Sequence, residues 1–281
     1  MVASTGWGQQ ARSERTGVKQ NTQPQSPSQP RGMFWDGKTL GPWWMMSALK
    51  YDPIPRQILY HFEGSYSFSK TTGNFESEGH RGNASLHLRK NRFTYTLTYS
   101  LDKQDQTLGI MRIAYQTLSW LTHVTVDYTS RIFSSFGFVW AEDEKAFIDK
   151  EYTFYGGVGY RVIDRPRYQL RLLAAAGHRN LERMYESHQD KAYGCYVEDT
   201  CNASLTEAVS LWQTYMLLQN VEEKDDYYWK LLTGMNAKIV EPVSLTVTYM
   251  VTYDNRPRPA GFQELFEKQD TVFMLGFTMS L

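Results

Sequence analysis

No run of this chain is apolar and uncharged for the roughly 20 residues that a membrane-crossing helix needs, and the mean hydropathy is −0.52. That excludes helical spanning. It does not exclude a membrane barrel, whose strands alternate and whose mean hydropathy stays low. Neither sign of charge is in excess, with 30 basic and 30 acidic side chains, so no basic surface calls for nucleic acid as a partner. Cysteine is scarce: Cys195 and Cys201 are the only two, a pair compatible with an oxidising compartment and a candidate for a disulfide. Catalytic motifs are missing as well. There is no G-x-S-x-G elbow, H-E-x-x-H, C-x-x-C or phosphate-binding loop, so no cofactor is expected. The run Gly156–Gly159 lies inside an alternating strand and marks close packing or a bend. Residues 1–32 are rich in Gln, Ser, Pro, Gly and Arg. They lack the apolar run of an export signal and read as a disordered tail; in an exported protein the signal is expected to have been removed.

What the chain has in quantity is aromatic side chains (19 Tyr, 14 Phe, 8 Trp) and period-two alternation. The clearest instance of alternation is the end of the chain. In Thr271–Leu281, residues Phe273, Leu275, Phe277, Met279 and Leu281 share one face. Val272, Met274, Gly276, Thr278 and Ser280 share the other. Such a strand needs an apolar neighbour, either a packed core or lipid. The same pattern recurs from residue 56 onward, as in Phe93–Leu101, where Phe93, Tyr95, Leu97, Tyr99 and Leu101 alternate with Thr94, Thr96, Thr98 and Ser100. Ahead of it, within an aromatic-rich lead-in over residues 33–55, Phe34, Trp35, Trp43, Trp44, Met45 and Met46 cluster before Pro53 and Pro55. This segment is expected to pack on one rim of the domain or, more specifically, to act as a plug or a partner-docking element over 33–51.

Two regularities favour a membrane barrel over a soluble sandwich. The strands are long, about 10 to 14 residues, against about 5 or 6 in a sandwich and about 9 to 11 for a tilted membrane strand. Short turns near residues 90–92, 130–131, 164–167 and 241–242 also interleave with longer polar loops near 71–76, 142–150, 182–192 and 255–269, the asymmetry of an outer-membrane barrel. Eleven strands are clear, and both chain ends on one side require an even number. The twelfth is either Lys191–Cys201 or a split of Thr107–Thr129 near Ser119. Cysteines six apart in an extended strand are separated by roughly 20 Å, too far for a disulfide. A Cys195–Cys201 bond would therefore place that segment in a loop, and the two alternatives exclude each other.

In a barrel the polar faces look inward. The expected lumen-lining residues are His61, Glu63, His87, Arg89, His123, Asp127, Arg161, Arg171, Lys230 and Lys238. Their charges suit either a salt-bridged filling or the wall of a small pore, and about twelve strands lie between filled and open barrels. A metal site among His61, His87 and His123, or cation binding at Glu142-Asp143-Glu144, is outweighed by an ordinary polar wall and a solvated loop. A barrel hydrolase is a further alternative without a motif behind it. The expected partners are outer-membrane lipid, lipopolysaccharide and the barrel assembly machinery.

A resemblance to a known family adds to this. V-D-Y-T-S-R-I-F-S-S-F-G at Val126–Gly137, Y-G-G-V-G-Y-R-V-I-D at Tyr155–Asp164 and the strand reaching Gly177-His178-Arg179 resemble the YdiY-like salt-induced outer membrane proteins, domain of unknown function 481. Thr72–Asn74, Tyr253–Pro257 and the closing strand from Asp270 are similar to that family too. The resemblance spans roughly Gln57 to Leu281. It implies a bacterial outer-membrane barrel of about twelve strands and brings no established reaction, cofactor or catalytic residues. It also implies that the missing strand lies around Lys191–Cys201, without a disulfide. The protein is expected to be non-enzymatic, a narrow pore or an envelope-integrity protein, or else a membrane anchor docking a partner. The chain departs from the family in its N-terminal tail, its cysteine-bearing stretch and Leu281, where a terminal Phe is usual.

Overall fold

In the computed structural model, the described residues are 42–50, 56–72, 77–108, 111–144, 148–184, 189–255 and 268–281. The expected tail over 1–32 falls outside them. Alternation is realised as twelve antiparallel strands that close into a barrel in simple up-and-down order, β1 pairing with β12. They are β1 Leu59–Thr72, β2 Ser77–Lys90, β3 Phe93–Leu108, β4 Met111–Asp127, β5 Ile132–Asp143 and β6 Ile148–Asp164. The second half comprises β7 Tyr168–Arg183, β8 Gln189–Ser204, β9 Val209–Asn220, β10 Tyr227–Val240, β11 Val243–Asp254 and β12 Gln269–Ser280.

The closing pair runs in unbroken register from Glu63↔Ser280 to Thr72↔Thr271. Leu281 extends that ladder by exchanging both backbone hydrogen bonds with Phe62, at 2.8 and 2.9 Å. Closure leaves no free strand edge, so every ladder group is paired within the barrel. Residues 107–108 and 111–117 lie at the paired ends of β3 and β4, and β8 is the strand that alternation alone leaves undecided. Cys195 and Cys201 both lie on β8 and both are free, which corrects the candidate disulfide: an extended strand holds them too far apart to bond.

The two ends of the barrel differ. At one end the connections are short, and both β1 and β12 meet them. At the β2–β3 turn Asn91 adopts φ 53, a left-handed conformation that Asn tolerates and tight hairpins require. The outward face is apolar over most of its circumference: Tyr60, Tyr66, Phe93, Trp120, Phe136, Phe154, Val158, Phe277 and others are exposed. The inward face carries the polar residues, with bulky rings laid over inward glycines of the next strand. A Cβ on Gly159 would lie 2.1 Å from the Phe133 ring, and one on Gly234 would lie 2.4 Å from the Trp212 ring. Glycine at these positions lets a neighbouring ring lie flat against the wall.

Candidate functional site

The lumen has two regions of different construction. At the short-turn end, residues 42–50 enter the mouth as two short 3-10 turns, Trp43–Met45 and Ala48–Lys50. Two turns this short leave most of their backbone groups unpaired, and in a barrel interior those groups need partners. The wall supplies them. Arg89, fully buried on β2, donates to the carbonyls of Trp43, Trp44 and Met46 at 3.0, 3.1 and 2.7 Å. Arg161 on β6 donates to the carbonyl of Met45 at 3.0 Å and to Asp127 of β4 at 2.6 Å. Asp127 in turn accepts the Ala48 N–H at 2.6 Å, and Asp164 accepts that of Ser47 at 3.3 Å. Lys50 forms an ion pair with Asp164 at 3.0 Å.

Side chains complete the seal. The Trp44 indole stacks against both the His61 and His87 rings, with centroids 4.3 and 4.2 Å away and the two imidazoles 6.1 Å apart. Met46, Ser47 and Ala48 are almost wholly removed from solvent. The guanidinium of Arg161 lies over the Phe133 ring at 4.6 Å, so the ring held against Gly159 also supports one of the segment's donors. The segment therefore lies inside the mouth, bonded to four separate strands or turns of the wall, where sequence reading leaves it between a rim and a plug.

Beyond the segment the charges pair along the wall. Arg81 of β2 meets Asp102 of β3, its Nε donating at 3.1 Å. Arg179 of β7 grips Glu151 of β6 through two bonds of 2.9 and 3.0 Å. Arg171 of β7 and Glu198 of β8 stand 3.5 Å apart. Each of these pairs joins adjacent strands, and Arg81 also reaches the sulfurs of Met250 on β11 and Met274 on β12 at 3.9 and 3.4 Å. An apolar patch of Leu232, Met250, Val272 and Met274 faces them.

Of the expected lumen residues, His61, His87, Arg89, Asp127 and Arg161 converge on the segment, while Arg171 sits in the wall pairs. His61 also stands 3.8 Å from Glu63, which is more open. Trp44 covers both His61 and His87, whose rings lie beside each other on neighbouring strands. Glu144 and Asp143 are engaged by the Gln116 N–H and the Thr117 hydroxyl at 2.7 and 3.1 Å. Lys238 keeps the lumen-facing side of β10, opposite Ser244 and ahead of the register shift that follows it, and sits at the rim, where it is 41% exposed and bonds Glu241. That hydrogen bond and the ammonium's charge hold the Glu241 carboxyl below the usual carboxylate range.

Sequence reading misses Asp164. Simple alternation from Arg161 would point it outward, but a register shift between Arg161 and Ile163 brings it back in. It also misses the acidic partners Asp102, Glu151 and Glu198, whose mates cannot be read without the register.

A search of curated proteins returns no match. Among solved structures, the NanC porin aligns with a TM-score of 0.53 at 5% identity, over 78% of this chain and 100% of that one. The translocator domain of the autotransporter NalP from Neisseria meningitidis aligns at 0.45 and 8% identity, over 78% and 88%. The KdgM porin aligns at 0.44 and 10%, over 77% and 99%. At these identities the first likeness concerns the barrel alone. Residues 65–281 match the family model described as "Protein of unknown function, DUF481". Closed barrel, register and family match agree, and this chain belongs to the DUF481 family.

Proposed function

We propose that this protein is a non-enzymatic barrel of the bacterial outer membrane, a narrow passage whose periplasmic mouth is closed by its own residues 42–50. The membrane reading rests on the exposed belt. Rings and aliphatic chains such as Tyr60, Phe136 and Val158 are 73%, 56% and 61% exposed, and a surface that apolar around most of a barrel suits lipid rather than water. The short-turn end, which holds both β1 and β12 termini, is then periplasmic. Insertion would draw on the barrel assembly machinery, and the outer rim would meet lipopolysaccharide.

One observation carries the closure: four successive carbonyls, Trp43 through Met46, are each capped by an arginine of the wall. Donors converging in this way form a built seat, unlike a chain end lying loosely against a rim. Above the seat the three arginine–carboxylate pairs join neighbouring strands along the wall, which suits a narrow passage. Conductance in planar bilayers tests this. The double variant Arg89→Ala with Asp127→Ala should conduct several-fold more than the parent, because the segment loses its principal partners. Equal conductance in the two, with both folded, would overturn the closure.

A further inference from the structure

The outward face of the barrel is not uniform, and its exception lies on β7–β9. There Ala174 and Ala176 on β7, Cys195, Asp199, Cys201 and Ala203 on β8, and Gln213 on β9 interrupt bulkier outward residues such as Leu172, Tyr193 and Val197. Asp199 sits five residues in from the end of β8 at Ser204. At about 3.3 Å per residue and a tilt of about 40°, that is a depth of roughly 13 Å from the rim. Leu170 and Leu211 lie between it and the rim, and Leu172 and Tyr215 flank it across the ladder. Asp199 therefore lies within the apolar belt, where a charge facing lipid is unfavourable.

The protein itself only half satisfies it. One carboxylate oxygen accepts the Tyr215 N–H at 3.0 Å, and no cation pairs with it among the described residues. Gln213 lies four residues in from the start of β9, within roughly 3 Å of the same depth by the same geometry. Its amide makes no side-chain hydrogen bond among the described residues. An acceptor and a donor thus stand side by side, level with each other, next to the small side chains of Cys201 and Ala203.

We infer that this β7–β9 face is an interface between two copies of the chain, packed about a two-fold axis along the membrane normal that passes between β8 and β9. Such an interface presents the same patch on both sides and must be self-complementary. The axis sets Asp199 against the partner's Gln213 twice, acceptor to donor. The small residues Ala174, Ala176, Cys201 and Ala203 let the two walls approach, as small side chains do in membrane interfaces. A different protein would need its own matching donor and acceptor at this depth; a second copy brings them already spaced. The inference takes the apolar belt as lipid-facing, and folding of the barrel is followed separately by heat-modifiable mobility.

The experiment uses the full chain in outer-membrane fragments and again after purification into lipid vesicles. A short bismaleimide should join two copies through Cys201, giving a band at twice the chain's mass that disappears in Cys201→Ser. A cysteine placed on the opposite face, Phe68→Cys in a Cys195→Ser and Cys201→Ser background, should give none. Asp199→Leu with Gln213→Leu should lower the cross-linked fraction several-fold while heat-modifiable mobility is kept. A chain that stays monomeric in both preparations would overturn the interface. So would equal cross-linking through Phe68→Cys, a dimer indifferent to the double substitution, or a cross-link to a protein of another mass. Loss of heat-modifiability in the parent itself would instead strike at the membrane reading beneath it.

Discussion

Arg89 and Asp127 show how single side chains set the state of the lumen. Arg89 spends its donors on carbonyls of residues 43–46 and on the Thr94 hydroxyl at 2.9 Å. Arg89→Ala leaves those carbonyls buried without a donor, which costs about 3 kcal/mol of the seat's stability on the scale of charge-assisted bonds. Limited trypsin digestion of the folded protein reads this out. Lys50, tied to Asp164 in the parent, should be cleaved readily in the variant and slowly in the parent, and equal rates would contradict the seat. Gly159→Ala is a sharper test of packing. A Cβ there meets the Phe133 ring at 2.1 Å, and that ring sits beneath Arg161. Overpacking of this kind costs about 1–3 kcal/mol, so the temperature at which the folded gel band converts should fall. At this scale much of the site is legible in the sequence. Arg89, Asp127, Arg161 and both histidines follow from alternation alone. Asp164 does not, because one extra residue in a ladder reverses the face of everything after it, and the sequence carries no mark of where β6 slips.

Among elements, β8 is the instructive case. Most strands announce themselves through a large apolar face, whereas β8 interrupts its outward Tyr193 and Val197 with Cys195, Asp199 and Cys201 and so weakens the contrast that alternation relies on. The strand is hard to recognise at the place where its outward face is built for something other than lipid, which agrees with the expectation that local rules break where function intervenes. Its extended form fixes the cysteines as thiols. Denatured, unreduced protein should therefore take up two maleimide adducts by mass spectrometry, and a protein taking up none would restore the disulfide. The segment 42–50 is the other element that sequence could not place. Its cluster of Trp and Met is visible as something to bury, but the seat is assembled from β1, β2, β4 and β6, and only the closed ladder brings those together.

For the whole molecule, closure is what makes both the belt and the lumen. Twelve strands in up-and-down order give a lumen of intermediate width, filled at one end by backbone and lined at the other by neighbouring-strand ion pairs. The strand Thr271–Leu281, recognisable first by its apolar face, completes the ring against β1 in a register without a break. The most direct test of a self-closed passage is single-channel conductance of the full chain beside the same chain lacking residues 1–50. Both must first show the heat-modifiable mobility of a folded barrel. The deletion should open events of several-fold larger conductance, and a synthetic peptide of residues 42–50 added to the periplasmic side should suppress them. Identical currents from the two forms, with the peptide without effect, would contradict the account.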